Sequence, residues 1–325
     1  DNLKALKQLK DKGYAVGALK PKRFVNSIPL KQFGTTYTLD FEHNRVRIQK
    51  LGSFRVLGLR QIPVSAEIAS AVLVRKQTGY YLHVACYVAR DYFHGDSIDK
   101  DAGVDFGVGD KLVLSNGVKI DFEIGESRRL KTLQKKFARK KRSSTTKRSS
   151  NNRAKTLDSI RREYEKLDNR RKDAQNKVLA FLRHYRVVAF QDDCVKGWTA
   201  RFGRQVHASG IGGLKSRLKN SLETPVVVER FEPTTVECFL CGRRHEMSLS
   251  DRTFHCSCGY SCDRDVNAAL VILKKGLAGL NTAVGPDWPE LMPFEKALCA
   301  RILGSNPYIH VSMYKLLQHK GSPSL

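Results

Sequence analysis

Two kinds of side chain in this sequence have the type and spacing to do chemistry. The first are thiols. Cys238-Phe-Leu-Cys241 is followed, after 14 residues, by Cys256-Ser-Cys258. Two close thiolate pairs closing one loop suit tetrahedral Zn²⁺. Four such ligands leave no open position for a substrate, so the site reads as structural. The second pair is one residue tighter than the usual C-x-x-C, which leaves His255 or Cys262 open as a replacement ligand. The second kind are carboxylates. Asp105 lies among apolar neighbours in GVDFGV, Asp192 and Asp193 follow RVVAF and Gln191, and Asp263 and Asp265 open DRDVNAA. Each has a plain reading: a turn Asp at 105, a polar strand end at 191–193, a helix cap at 263. Burying an unpaired carboxylate is costly, however, so Asp105 calls for a counter-ion. Together Asp105, Asp193 and Asp265 can assemble a divalent-metal site. Mg²⁺ prefers carboxylate and phosphate oxygens, and two such ions about 4 Å apart suit phosphodiester cleavage.

The elements that must position these groups follow from periodicity. Leu3, Leu6 and Leu9 have helical spacing, ended by Gly13. Residues 13–95 hold short β-rich runs at Tyr37–Phe41, Arg45–Gln49, Phe54–Leu57, Ala71–Arg75 and Tyr80–Val88, which predict a small β-barrel or an open antiparallel sheet. Residues 101–122 read as three strands, the last two joined at Asn116-Gly117. Residues 128–185 are helical, broken into a hairpin by the polar stretch 143–152. Arg186–Phe190 is a buried strand that ends in Gln191-Asp192-Asp193. Side chains at i and i+2 share a strand face, so Gln191 and Asp193 are expected on one side and Asp192 on the other. A glycine-rich loop then leads to a helix at Leu214–Leu222. PVVVERF (225–231) is a further strand and DRDVNAALVILKKGL (263–277) a helix, while 286–325 reads as a variable tail. Strands alternating with helices in the second half predict an α/β core.

The charge balance points to a partner. The 325 residues carry 58 Lys and Arg against 32 Asp and Glu, a net charge of +26. Such a surplus attracts phosphate backbones. Residues 128–177 hold 20 Lys and Arg against 5 Asp and Glu, so more than half of the surplus sits on the predicted hairpin. Arg128, Lys131, Lys135, Lys136, Arg139 and Lys140 are its candidate phosphate contacts; the plain alternative is a solvated face. No apolar run approaches the ~18 residues of a membrane span, and no signal peptide is evident. The expected location is the prokaryotic cytoplasm and nucleoid.

These motifs resemble, in order, those of TnpB, the OrfB-type protein of insertion sequences, and its relatives the compact type V CRISPR effectors. GVDFGVGDKLVLSNG is similar to the family's first RuvC motif, and RRLKTLQKKFARKK with RREYEKLDNRRKD to its basic helical hairpin. PTTVECFLCGRRHEMSLSDRTFHCSCGY is similar to its zinc ribbon and DRDVNAALVIL to its third RuvC motif. The resemblance implies an RNase H-like (RuvC) core with a basic hairpin insertion and a zinc ribbon, preceded by a partial, wedge-like β-barrel. The implied organisation is 1–97 partial barrel, 98–127 RuvC part I, 128–185 hairpin, 186–233 RuvC part II, 234–262 ribbon, 263–285 RuvC part III and 286–325 tail. The family's N-terminal helical recognition region is expected to be absent, as in a fragment or a reduced form. The implied activity is guide-RNA-directed cleavage of double-stranded DNA by Mg²⁺-dependent hydrolysis at one RuvC site, in association with a transposable element.

By motif match Asp105 is the first catalytic acid and Asp265 the third. Cys238, Cys241, Cys256 and Cys258 hold zinc, although His255 falls where a cysteine is usual and the choice between His255 and Cys256 stays open. The family's second-motif Glu falls on Gln191, and some relatives carry that acid two residues later, where Asp193 stands. An amide at 191 also supports a second reading: a guided DNA-binding protein that does not cut. A third is a zinc-ribbon transposase accessory without a guide.

Overall fold

The computed structural model describes residues 2–17, 24–89, 98–140, 150–248, 250–280 and 291–314. The chain divides into two units, Asp1–Ala89 and Arg90–Leu325.

In the first unit a short helix, α1 (Asn2–Asp11), precedes six strands: β1 (Ser27–Leu30), β2 (Tyr37–Asp40), β3 (Arg45–Ile48), β4 (Gly52–Arg55), β5 (Glu67–Arg75) and β6 (Tyr80–Tyr87). They form two antiparallel sheets, β1-β5-β6 and β2-β3-β4, and no described strand closes them into one barrel. Leu30, Tyr37, Val46, Ile48 and Ala71 make the small shared core.

The second unit is built on one mixed sheet. Its strands are β7 (Ile98–Phe106), β8 (Leu112–Leu114), β9 (Val118–Asp121), β10 (Tyr185–Gln191), β11 (Pro225–Val228) and β14 (His310–Met313), in the order β11-β10-β7-β8-β9-β14. β7, β8 and β9 run antiparallel through tight turns, whereas β10 and β11 join β7 in parallel after helical crossovers. Alternation along β7 explains which face each residue serves. Ala102, Val104 and Phe106 enter a core with α3 (Asn151–Leu182), α4 (Val195–Ser209), α5 (Ile211–Ser221) and α7 (Pro293–Ile302). Gly103 and Asp105 therefore face the other side, against α6 (Arg264–Ala278). The fit there is close: a Cβ on Gly103 would stand 2.0 Å from the Ala269 carbonyl oxygen. Only glycine lets this helix lie on this strand.

α2 (Arg128–Arg139) and α3 form the basic hairpin. Ser127 and Ser150 cap them by accepting from the Leu130 and Arg153 amides. Residues 141–149, and with them most of the predicted break at 143–152, lie outside the described residues, as do 281–290 and 315–325 of the C-terminal region.

Two expectations change. The glycine-rich stretch after Asp193 contains helix α4, with non-helical backbone at Phe202 and a left-handed Gly210 separating it from α5. Its buried Val206 and Ala208 outweigh the poor helix propensity of Gly197 and Gly203. The region read as a tail also carries structure. β14 pairs antiparallel with β9, and α7 buries Glu295, which accepts from Asn116 Nδ2 at 3.1 Å and from the Tyr185 hydroxyl at 3.0 Å.

Candidate active site and metal centre

The ribbon is built by two knuckle turns. In the first, Cys238 N–H donates to Arg243 O and Gly242 N–H to Cys238 O; in the second, Cys256 N–H donates to Tyr260 O and Gly259 N–H to Cys256 O. Both turns close on a glycine with positive φ, +73° and +90°. The four sulfurs of Cys238, Cys241, Cys256 and Cys258 lie within 4.8 Å of one another. Cys238 and Cys258 are 3.8 Å apart and Cys241 and Cys256 3.4 Å. Tetrahedral bonds of ~2.3 Å place thiolates about 3.8 Å apart, so the set can hold zinc. Burial pushes the Cys238 thiol up to about 12, while hydrogen bonding, first from the Cys258 amide, draws Cys256 down to about 6.

His255 is not part of the thiol set. It belongs to β12 (Thr253–His255), where Phe254 points into the core; its Nδ1 meets the Ser261 hydroxyl at 2.9 Å. Cys262, on β13 (Ser261–Asp263), is buried in the ribbon core. His245 went unnoticed in the sequence. Its Nε2 is 3.1 Å from Cys256 Sγ, and its position four residues after Cys241 was the available signal.

The ribbon is fastened to α6. Asn267 accepts from the Phe239 amide at 3.2 Å and donates to Glu237 O at 2.8 Å, and Lys274 donates to Phe239 O. β13 runs into α6 without a linker. Asp263 ends the strand, caps the helix by accepting from the Asp265 and Val266 amides, and takes the Lys119 ammonium at 2.6 Å. Capping is thus what Asp263 does. Asp265 is left in the first turn, beside the Arg264 guanidinium at 3.0 Å.

Asp105 reaches the same region from β7. Burial, then the charges of Asp265 and Asp193, hold its carboxyl well above the usual range, with Arg264 opposing. Asp193 is also raised by burial, against the pull of Lys215. Lys215 on α5 donates to Asp193 O at 2.9 Å, and its ammonium lies 3.6 Å from Asp192 Oδ1 and 3.9 Å from Asp193 Oδ2. Burial lowers the pKa of that ammonium, an effect the two aspartates oppose. Nothing in the residue pattern around 215 signals that this lysine returns to the acids. Asp193 Oδ2 is buried without a hydrogen-bond partner. The three acids are close enough to raise Asp105, but among the described residues only the four thiols gather within 4.8 Å. Oxygen-rich, charge-frustrated and partly unpartnered, the acid set suits Mg²⁺ chemically, in a more open arrangement than a single-ion cage.

The expected sharing of a strand face at 191 and 193 fails. β10 ends at Gln191, so period two does not carry to Asp193. Gln191 turns toward 229–234, whereas Asp192 and Asp193 both lie beside Lys215.

On the hairpin, Arg128, Lys131, Lys135, Lys136 and Arg139 are exposed. Lys140 is tied inward, donating at 2.7 Å to both Asn152 O and the Thr156 hydroxyl. No helix among the described residues is long and apolar enough to cross a membrane.

A mixed α/β sheet with acids at its strand ends, and a four-cysteine ribbon feeding α6, defines the class of protein. The comparisons narrow it. A family described as "Probable transposase" (OrfB_IS605) matches residues 96–185, and one described as "Cas12f1-like, TNB domain" matches residues 214–272. A "Putative RNA-guided DNA endonuclease" of Streptomyces pristinaespiralis is 28% identical over 230 residues, which are 67% of this chain. The chain spans 56% of that relative's length. Two solved structures are similar at 14% identity. One is a Cas12f1–sgRNA–target DNA complex (TM-score 0.43, 83% of this chain, 69% of that one) and the other a CRISPR-Cas12f ternary complex (TM-score 0.34, 76% and 52%). The chain is thus similar over residues 96–185 to OrfB-type transposases and over residues 214–272 to the ribbon of Cas12f1-like proteins, a TnpB-like pattern.

Proposed function

We propose that the chain is the core of an RNA-guided DNA endonuclease, with an RNase H-like (RuvC) sheet that hydrolyses target DNA with Mg²⁺. The observation that carries this reading is Asp105: burial raises its carboxyl well above the usual range, and Asp265 and Asp193, arriving from separate elements, lie near enough to raise it further. Three antiparallel strands followed by two parallel ones, with acids on the first strand, after the fourth and at the start of α6, support the RuvC reading. Asp105, Asp265 and Asp193 would hold the ions, which when bound supply charge stabilisation for phosphodiester hydrolysis. Arg264 and Lys215 offset the carboxylate charge, and Asp263 holds the first turn of α6 by capping it. The exposed arginines and lysines of α2 neutralise phosphates of guide RNA or target DNA. A second reading, guided binding without cleavage, is favoured by the neutral Gln191 and by the open spacing of the acids.

The test is to express the chain with its flanking DNA, sequence the RNA that copurifies, and assay guided cleavage with Mg²⁺. Asp105→Ala and Asp265→Ala are expected to abolish cutting while guided binding persists, because affinity comes from pairing and backbone contacts. If the unsubstituted chain binds its target and never cuts, the second reading replaces the first.

A further inference from the structure

Gln191 stands at the C-terminal end of β10, on the face of α6, and is 6% exposed. Its amide nitrogen donates to three backbone carbonyls: Glu229 O at 3.0 Å, Arg230 O at 3.2 Å and Glu232 O at 2.8 Å. Its amide oxygen accepts from the Thr234 hydroxyl at 2.9 Å. Both amide protons, one of them shared between two carbonyls, and one lone pair of the amide oxygen are therefore spent on one segment, the strap of residues 229–234 that leads from β11 into the first cysteine knuckle. The strap answers in kind. Arg230 Nε donates to Asp192 O at 2.9 Å and its Nη2 to Asp192 Oδ2 at 3.2 Å. From the other side, Lys275 of α6 takes Glu232 at 2.7 Å and Glu237 at 3.0 Å.

We infer that Gln191 is a positioning residue, an amide lock that joins the end of β10 to the ribbon's entry strap and fixes where Asp192 and Asp193 leave the sheet, so that position 191 is withdrawn from metal ligation. The chemistry is asymmetric. A carboxylate has the same shape but only accepts, so Glu at 191 would set its charge against three carbonyl oxygens. Met leaves the same carbonyls without a donor but brings no negative charge against them, so the carboxylate is the costlier replacement. The lock holds whether or not the chain cleaves DNA, so its failure is separable from failure of the nuclease reading.

The experiment compares Gln191→Glu with Gln191→Met by thermal unfolding at neutral pH and by Mn²⁺ binding measured by paramagnetic resonance. Gln191→Met loses the four bonds, with an expected Tm drop of roughly 5 °C or more for a unit of this size. The near-isosteric Gln191→Glu is expected to fall further, and to bind no additional Mn²⁺. A position that served only packing would tolerate Gln191→Met with little loss of Tm, since Met fills a similar volume without burying a charge. The inference is overturned if Gln191→Glu is the more stable of the two, or if it gains a Mn²⁺ ion that restores its Tm. Should either variant fail to fold, Thr234→Val removes only the hydroxyl donor. Faster hydrogen exchange at the Asp192 and Thr234 amides is then expected, and unchanged exchange overturns the lock.

Discussion

The ribbon and the acid cleft meet on one helix, yet their ligand sets are built by opposite means. The ribbon's four thiols come from two knuckles within 21 residues, and local turns bring them together. The acids come from positions 105, 193 and 265. Sheet topology brings them near enough to raise Asp105, without gathering them as closely as the thiols. Spacing can specify a ligand set when neighbours in sequence are neighbours in space. When a whole sheet intervenes, every strand end and helix phase must be right as well.

The largest effect should come from the local set. Cys238→Ser is expected to release zinc and to unfold the ribbon with the start of α6, at a cost on the order of 5 kcal/mol or more, because thiolate ligation is folding energy in small metal domains. Metal analysis with thermal unfolding measures it; retention of stoichiometric zinc by both Cys238→Ser and Cys241→Ser would break the comparison at its first term. Next comes the tie between the two regions. Asn267→Ala strands the Phe239 amide and the Glu237 carbonyl, which should cost about 2 kcal/mol and loosen zinc without touching a ligand. Competition with a chromophoric chelator would report it, and unaltered zinc affinity would separate the ribbon from α6.

The acid cleft should respond with the opposite sign. Asp105 has a raised folded pKa, so its cost is absent below the unfolded value of ~3.9 and develops as pH rises through the folded value. Asp105→Asn should therefore raise Tm by about 2–4 °C at pH 8, with a smaller gain at pH 5. Added Mg²⁺ should narrow the gap by stabilising only the unsubstituted chain. A gain that is flat with pH would remove charge repulsion as the cause. The smallest change in stability is expected on the hairpin. Replacing Lys135, Lys136 and Arg139 with alanine should leave Tm nearly unchanged yet flatten the salt dependence of nucleic-acid binding, by about 0.9 in log–log slope per lost phosphate contact on duplex DNA. An unaltered slope would make the basic stretch a solvated face.

What the sequence made legible follows the same division. The thiol pairs, the basic helical hairpin and the β7–β9 meander are local patterns, and they could be read as such. The choice of Cys256 over His255 needed the strand alternation that turns Phe254 inward. Gln191 could not be understood from sequence, because its partners lie some 40 positions away on the strap. Lys215 was hidden for the same reason, 22 residues beyond Asp193 on a helix of unremarkable composition. Helix α4 was masked by its glycines, and β14 by its brevity: four residues give two periods of alternation, too few to distinguish an edge strand from a tail.

Asp263 belongs at once to β13 and to the cap of α6. The ribbon is consequently a lever with no slack. Added length can be absorbed between Cys241 and Cys256, where the chain only has to leave one knuckle and return to the other. Between the Asp263 cap and Asp265 a single inserted residue would turn Asp265 by about 100° of helix phase relative to its cap, sending it away from Asp105 while leaving all four thiols in place. Zinc occupancy would then be intact in a molecule whose acids no longer meet, so tolerance to insertion on this one short segment is a mechanical reading of how the two halves are geared.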